Sequence, residues 1–225
     1  MGNVTTKPVI VVTGTLREAA VVSGEGIVVI AGGSDPQRLR RELAAAAPGA
    51  AGIISFGMCG AIDRSLKLGQ WVIGKRLSGS FAALCDERWV AALAAKLPLA
   101  RVGSIHADGD LLGEEQGKAE RGWASAALAA DMESHIVAEA AGKAGVPFVI
   151  LRCVSDVAEM ELPPAVGVMM RPDGGVNVGA VLKSIAAKPG QVPHLAATLY
   201  GFAKAYRAMG AGAKAIDARL GFDAR

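Results

Sequence analysis

Aromatic side chains are scarce in this chain, 4% of its residues, although 52% are apolar. A core of that composition has to be assembled from Ala, Val, Ile and Leu, which suits buried parallel strands covered by Ala-rich helices and predicts an α/β fold. Cysteine is nearly absent too. Cys59, Cys85 and Cys153 are far apart, odd in number and without CxxC or Cys/His spacing, which argues against a disulfide framework and predicts buried thiols in a reducing compartment. No apolar run approaches the roughly eighteen residues of a membrane span. The opening MGNVTTKP has no apolar leader core, so a cytoplasmic protein is expected. Neither sign of charge dominates: the net charge is +3 with the two signs interspersed, and the absence of a Lys/Arg block or aromatic ladder speaks against nucleic acid as a partner. Walker, GxGxxG, GxSxG and HExxH motifs are all missing, which disfavours the common cofactor folds and leaves neither cofactor nor metal expected. At 225 residues without repeat or linker, a single domain over 1–225 is expected.

What is present is organised around residues 131–159, DMESHIVAEAAGKAGVPFVILRCVSDVAE. Ile136, Val137, Ala140 and Ala141 recur at helical spacing, Gly145 closes the helix, and Phe148 to Leu151 is a continuous apolar run typical of a strand buried on both faces. Polar groups bracket this unit. Asp131 and Glu133 precede the helix, and Ser155 and Asp156 follow the strand, where open α/β sheets hold ligands.

The remaining chain reads as alternating strands and helices. Val9 to Val12 is a β-branched strand running into Thr13-Gly14-Thr15-Leu16-Arg17-Glu18, a strand-to-helix turn in which Gly14 lets backbone approach a bound group; Glu18 serves either a ligand or the helix dipole. Ile27 to Ala31 is a second strand, and Ser34 or Asp35 caps a helix from Pro36 to Ala47. In GIISFGMCGAI, Ile53 and Ile54 finish a strand and Gly57 and Gly60 make a close turn whose N–H groups suit an anion or a hydroxyl. Strands follow at 71–74 and 99–105, with a helix between them at 86–97, and a further short strand lies at 128–130. Asp108 to Gly113 is an acidic turn. Leu162-Pro163-Pro164 stops regular structure before an apolar loop, Val166 to Met170, and RPDGG. Final helices lie at 178–187 and 195–209, separated by Pro189 to Pro193.

His106, His135 and His194 are scattered, and His135 reads as a hydrogen-bonded structural imidazole, so carboxylates have to carry any acid–base work. Glu18, Glu133 and Asp156 recur at strand exits or helix entries with small residues beside them. Converging in one crevice, they would form a site.

VPFVILRCVSDVAE after ADMESHIVAEAA resembles the signature region of the nucleoside phosphorylase and methylthioadenosine nucleosidase superfamily, and ISFGMCGAIDRSLKLGQWVIG and TGTLREA resemble its Gly-rich turn and first-strand exit, in the same order over residues 9–160. DMESH with Leu162-Pro163-Pro164 and RPDGG looks most like the hopanoid-associated branch. The resemblance implies a three-layer α/β/α fold with a central mixed sheet, a homo-oligomer, and cleavage of the N-glycosidic bond of an adenine nucleoside, adenosylhopane in that branch. Glu133 would accept from both ribose hydroxyls with Met132 packed on the sugar. Asp156, helped by Ser155, would give a proton to purine N7. Glu18 would position or deprotonate an attacking water, and Leu112 would line the base pocket. Where phosphorylases carry an Arg and a Ser or Thr for phosphate, this chain has Ser55 and Met58. Either Arg17, beside Gly14, supplies the cation and inorganic phosphate is co-substrate, or the turn around Gly57 and Met58 holds water. Phosphorolysis, as the branch implies, and hydrolysis are both open, as are an inert nucleotide-binding module, a lipid-linked substrate and transient contact with a membrane surface.

Overall fold

The computed structural model describes residues 7–22 and 24–224, with side chains described except at 122–125 and 224. The reading of residues 1–6 as lacking a leader core lies outside the described residues.

Eight strands make one mixed sheet: β1 (Val9–Thr13), β2 (Ile27–Ala31), β3 (Gly52–Ala61), β4 (Trp71–Gly79), β5 (Ala83–Leu84), β6 (Arg101–Ala107), β7 (Ala127–Asp131) and β8 (Phe148–Asp156). The α/β class and the mixed sheet are as expected. What composition and periodicity did not announce is closure. β3 pairs parallel with β8, β8 antiparallel with β4, β4 parallel with β6, β6 parallel with β7, and β7 returns antiparallel to β3. Five strands thus form a ring, while β1 and β2 extend the sheet outward from β3 and β5 hangs on β4. Within the ring β8 is paired on both sides, with β3 and β4, and it is buried at every position, charged ones included.

Around the sheet lie α1 (Leu16–Ala19), α2 (Pro36–Ala46), α3 (Glu87–Lys96), α4 (Glu115–Ser125), α5 (Ser134–Ala144), α6 (Pro164–Gly167), α7 (Val178–Ala187) and α8 (Val192–Ile216). Their starts follow local chemistry. Asp35 accepts from the N–H groups of Gln37 and Arg38 to open α2, and Asp86 accepts from that of Trp89 to open α3. Gly145, at φ 64°, closes α5 in the left-handed region. The core is aliphatic, with Val9, Val11, Ile53, Ile54, Val149 and Ile150 fully buried. Each such side chain contributes roughly 1.5–3 kcal/mol relative to exposure.

Three expectations need correction. Gly57 and Gly60 do not turn the chain; they lie within β3, which runs unbroken for ten residues with a bulge at Cys59/Gly60. β8 pairs with the strand through both glycines, and β7 takes up its other side at Gly60, which carries the strand on. Ser155 and Asp156 belong to the end of β8 rather than to a loop beyond it. Pro193 sits in the first turn of α8, where its missing N–H costs no helical bond, so that helix starts at Val192 and extends to Ile216. Part of the apolar loop is also regular, as α6 and as a Met170–Val176 bridge. The three thiols are buried. Burial pushes those of Cys85 and Cys153 up to about 12, and burial, then the neighbouring Cys153, raises Cys59 as well.

Candidate active site

β1, β3 and β8 run parallel, so their carboxyl ends reach one edge of the sheet, and β7 meets β3 there from the opposite direction. This edge opens into a cavity of about 250 Å³ lined by Gly14, Thr15, Glu18, Met58, Gly60, Met132, Glu133, Arg152, Ser155 and Asp156 on the polar side. Leu111, Leu162, Val166, Met170 and Phe202 form the apolar side. The three carboxylates singled out from the sequence therefore share one cavity. Hollows of about 380 and 470 Å³ exist elsewhere on the surface, but neither gathers these groups.

Glu18 is fixed by its own turn. The Thr15 N–H and hydroxyl donate to Oε2 at 2.7 and 3.0 Å, and the Met58 N–H donates to Oε1 at 2.8 Å. The capping box that the helix dipole would suggest is present, yet the carboxylate is also drawn across to β3. Gly57 makes this possible: at φ 150°, a Cβ there would come within 2.7 Å of Glu18 Oε1 and 2.9 Å of an Arg152 nitrogen. Gly60 does the same for Asp156, whose Oδ2 lies 2.8 Å from the position a Cβ would take. The glycines thus leave space for carboxylates, while the Met58 N–H expected to face an anion or water is taken by Glu18.

The entry to α5 divides two jobs between two acids. Asp131 caps the helix, accepting from the N–H groups of Glu133 and Ser134 at 2.9 and 2.7 Å and from the Ser134 hydroxyl at 2.6 Å. Glu133 makes no capping bond, which leaves its carboxylate facing the cavity. Arg152, inside the apolar run of β8, holds this cluster together: it lies 3.1 Å from Asp131 and 3.7 Å from Glu133, and it donates to the Ser55 hydroxyl at 2.6 Å. Burial pulls the guanidinium down, but Asp131, Glu133 and Glu18 outweigh it and hold it above its ordinary value.

Glu133 titrates accordingly. Desolvation, opposed by Arg152 and reinforced by Asp131 and Glu18, pushes it up to about 7. A carboxyl raised in the folded state binds a proton more tightly there than in the unfolded chain. Its stabilising effect is complete below the unfolded value, near 4.5, and disappears as pH rises through about 7. Thermal unfolding of the free protein should therefore show stability falling between about pH 5 and 7, and Glu133→Gln should remove most of that slope; an unchanged slope would reassign it to another group.

Asp156 is paired. Lys118, on α4, donates to Oδ2 at 2.6 Å and to the carbonyls of Val157 and Met160, while the Ser155 hydroxyl donates to Oδ1 at 2.9 Å. Both members of the ion pair are buried. Ser155 in turn lies against α8, where Gly201 allows contact, since a Cβ there would stand 2.1 Å from the Ser155 carbonyl. That approach brings Phe202 to the cavity.

One assignment falls elsewhere. Arg17 is exposed, its guanidinium 4.2 Å from the centroid of the Tyr206 ring and off the cavity, because the helical turn holding Glu18 inward points its neighbour outward. Leu111, rather than Leu112, faces the main cavity; Leu112 lines an adjoining hollow of about 50 Å³ with Asp156, Gly60 and Lys118. His135 is buried, but its Nδ1, expected to be hydrogen-bonded, finds no partner among the described residues. Arg152 and Lys118 were missed. A lone Arg in the apolar run FVILRCVSD was a readable signal for the first; Lys118, in a polar helix, gave none.

Solved structures share this fold. The S-adenosylhomocysteine nucleosidase of Streptococcus pyogenes, in complex with 5-methylthiotubericidin, matches with a TM-score of 0.60 at 18% identity over 90% of this chain and 98% of that one. A mutant of Helicobacter pylori MTAN with 5′-methylthioadenosine in the active site gives 0.63 at 13% identity, covering 93% and 99%. A futalosine hydrolase mutant of Helicobacter pylori gives 0.57 at 16%, covering 67% and 90%. No curated protein matches. The family model of the phosphorylase superfamily matches residues 2–167, and the chain therefore belongs to that superfamily.

Proposed function

We propose that the protein cleaves the N-glycosidic bond of an adenine nucleoside carrying an apolar 5′ substituent, releasing adenine. The observation that carries this reading is the convergence of Glu18, Glu133 and Asp156 on one cavity whose other wall is apolar. Glu133 accepts from the ribose hydroxyls, and Met132 packs on the sugar. As the C1′–N9 bond breaks, its electron pair passes to the purine; the Lys118 ammonium gives its proton to the Asp156 carboxylate at Oδ2 and is left as a neutral amine, and Asp156 passes that proton to purine N7. Leu111, Leu162, Val166 and Met170 receive the 5′ group; adenosylhopane, which the sequence resemblance implies, has such a group.

Charge supports water over phosphate as the nucleophile. Around the ribose end, Glu18, Asp131 and Glu133 surround a single guanidinium, that of Arg152, and Arg17 is turned away. A phosphate dianion placed there would meet a net negative field, whereas a neutral water would not. The geometry therefore favours hydrolysis: the water oxygen bonds to C1′ and Glu18 takes its proton. Incubation with 5′-substituted adenosines, with and without inorganic phosphate, should give adenine and the free ribose at a rate that phosphate does not raise. A ribose 1-phosphate product would establish phosphorolysis instead, and adenine release in neither condition would leave the site a binding module.

A further inference from the structure

We propose that α7, with the start of α8, docks on the surface of an anionic lipid bilayer. This surface goes beyond the glycosidase reading and does not depend on it. α7 has no buried residue at all, although its sequence, VGAVLKSIAA, carries one charge. Val178 and Leu182, one turn apart on its outer side, are 60% and 61% exposed. Val176, Val192, Leu199 and Tyr200 are also strongly exposed, and more than half of the large exposed apolar side chains among the described residues lie between 168 and 200. Scattered apolar residues need no explanation, but this concentration on one short segment does.

The elements are joined. Gln191 donates to the Ser184 carbonyl of α7 and accepts from the Ala165 N–H of α6, which ties both helices to the first turn of α8. α6 supplies Val166 and Gly167 to the cavity lining, and the Met170–Val176 bridge connects the cavity wall to the segment leading into α7. The exposed apolar surface thus borders the apolar side of the cavity.

Charge selects the occupant. From residue 174 to 200 there is no Asp or Glu, while Lys183 and Lys188 fall there and Lys204, over the Tyr200 ring, lies one turn beyond. The preceding carboxylate, Asp173, is paired with Arg171 at 3.2 Å. Apolar side chains flanked by lysines, without acids, match the boundary of a bilayer bearing negative headgroups. A second copy across a two-fold axis would instead bring the same cations face to face.

The test is co-sedimentation of the full chain with vesicles of phosphatidylglycerol and phosphatidylcholine, compared with phosphatidylcholine alone. Binding is expected to the anionic vesicles, weakening with added salt. Val178→Asp and Leu182→Asp, at exposed positions, should each reduce the bound fraction about tenfold, while Leu99→Asp, at an exposed apolar position outside this surface, should not. Absence of binding to anionic vesicles, or equal loss with Leu99→Asp, would overturn the proposal. So would a concentration-dependent dimer in sedimentation velocity that Leu182→Asp dissociates, with vesicles left unbound.

Discussion

Replacing Asp156 by Asn is expected to slow adenine release by roughly 10²- to 10⁴-fold, the range associated with losing a positioned proton donor. The amide still accepts from the Ser155 hydroxyl, as Oδ1 does now at 2.9 Å, but it carries no proton that can pass to a leaving purine. The loss should fall on kcat more than on KM, because the ribose contacts assigned to Glu133 come from a different element and are untouched. Single-turnover adenine release, normalised to the folded fraction by circular dichroism, is the measurement. A variant retaining parental kcat would remove Asp156 from the chemistry and with it the assignment of the purine to that end of the cavity.

The second large effect concerns Lys118. Its ammonium uses all three donors, on Asp156 Oδ2 and on the carbonyls of Val157 and Met160, with almost no exposure to water. Lys118→Met keeps the length of the side chain and deletes the charge, which leaves a buried carboxylate without its partner and should cost about 3–5 kcal/mol of stability. Removing both charges, in Lys118→Met with Asp156→Asn, should recover much of that loss, since the uncompensated ion, rather than the absent attraction, is the larger cost. Urea or thermal denaturation of the two single variants and the double variant completes the cycle. Additive losses would mean that the two groups do not act on one another as their 2.6 Å separation requires.

Much of the architecture was legible because its signals are short-ranged. β2 at Ile27–Ala31 and α7 at Val178–Ala187 lie where the apolar runs and turn residues put them, since an aliphatic run bounded by glycines, or a helix bounded by Asn177 and Pro189, is specified within a few positions. The glycines of β3 misled for the same reason. Locally, Gly-x-x-Gly reads as a turn, but β8 along its length and β7 at Gly60 supply the pairing that keeps it extended. Position along the chain likewise suggested which acids to examine without saying which neighbour each would face. Glu18 and Arg17 are adjacent in sequence, and one turn of helix sends them in opposite directions.

The sequence by itself determined that this is an aliphatic α/β chain without a dinucleotide motif, and it placed acids at the exits of β1 and β8 and at the entry to α5. Closure of the sheet decided the rest. By bringing β3, β7 and β8 together it set Asp131 against Arg152 and, through α4, Lys118 against Asp156, while β1 beside β3 set Glu18 against Met58. Such pairs join residues separated by many positions, and ion pairing in a desolvated interior depends on separations of a few ångströms. Composition and periodicity carry no information on that scale until the chain has folded.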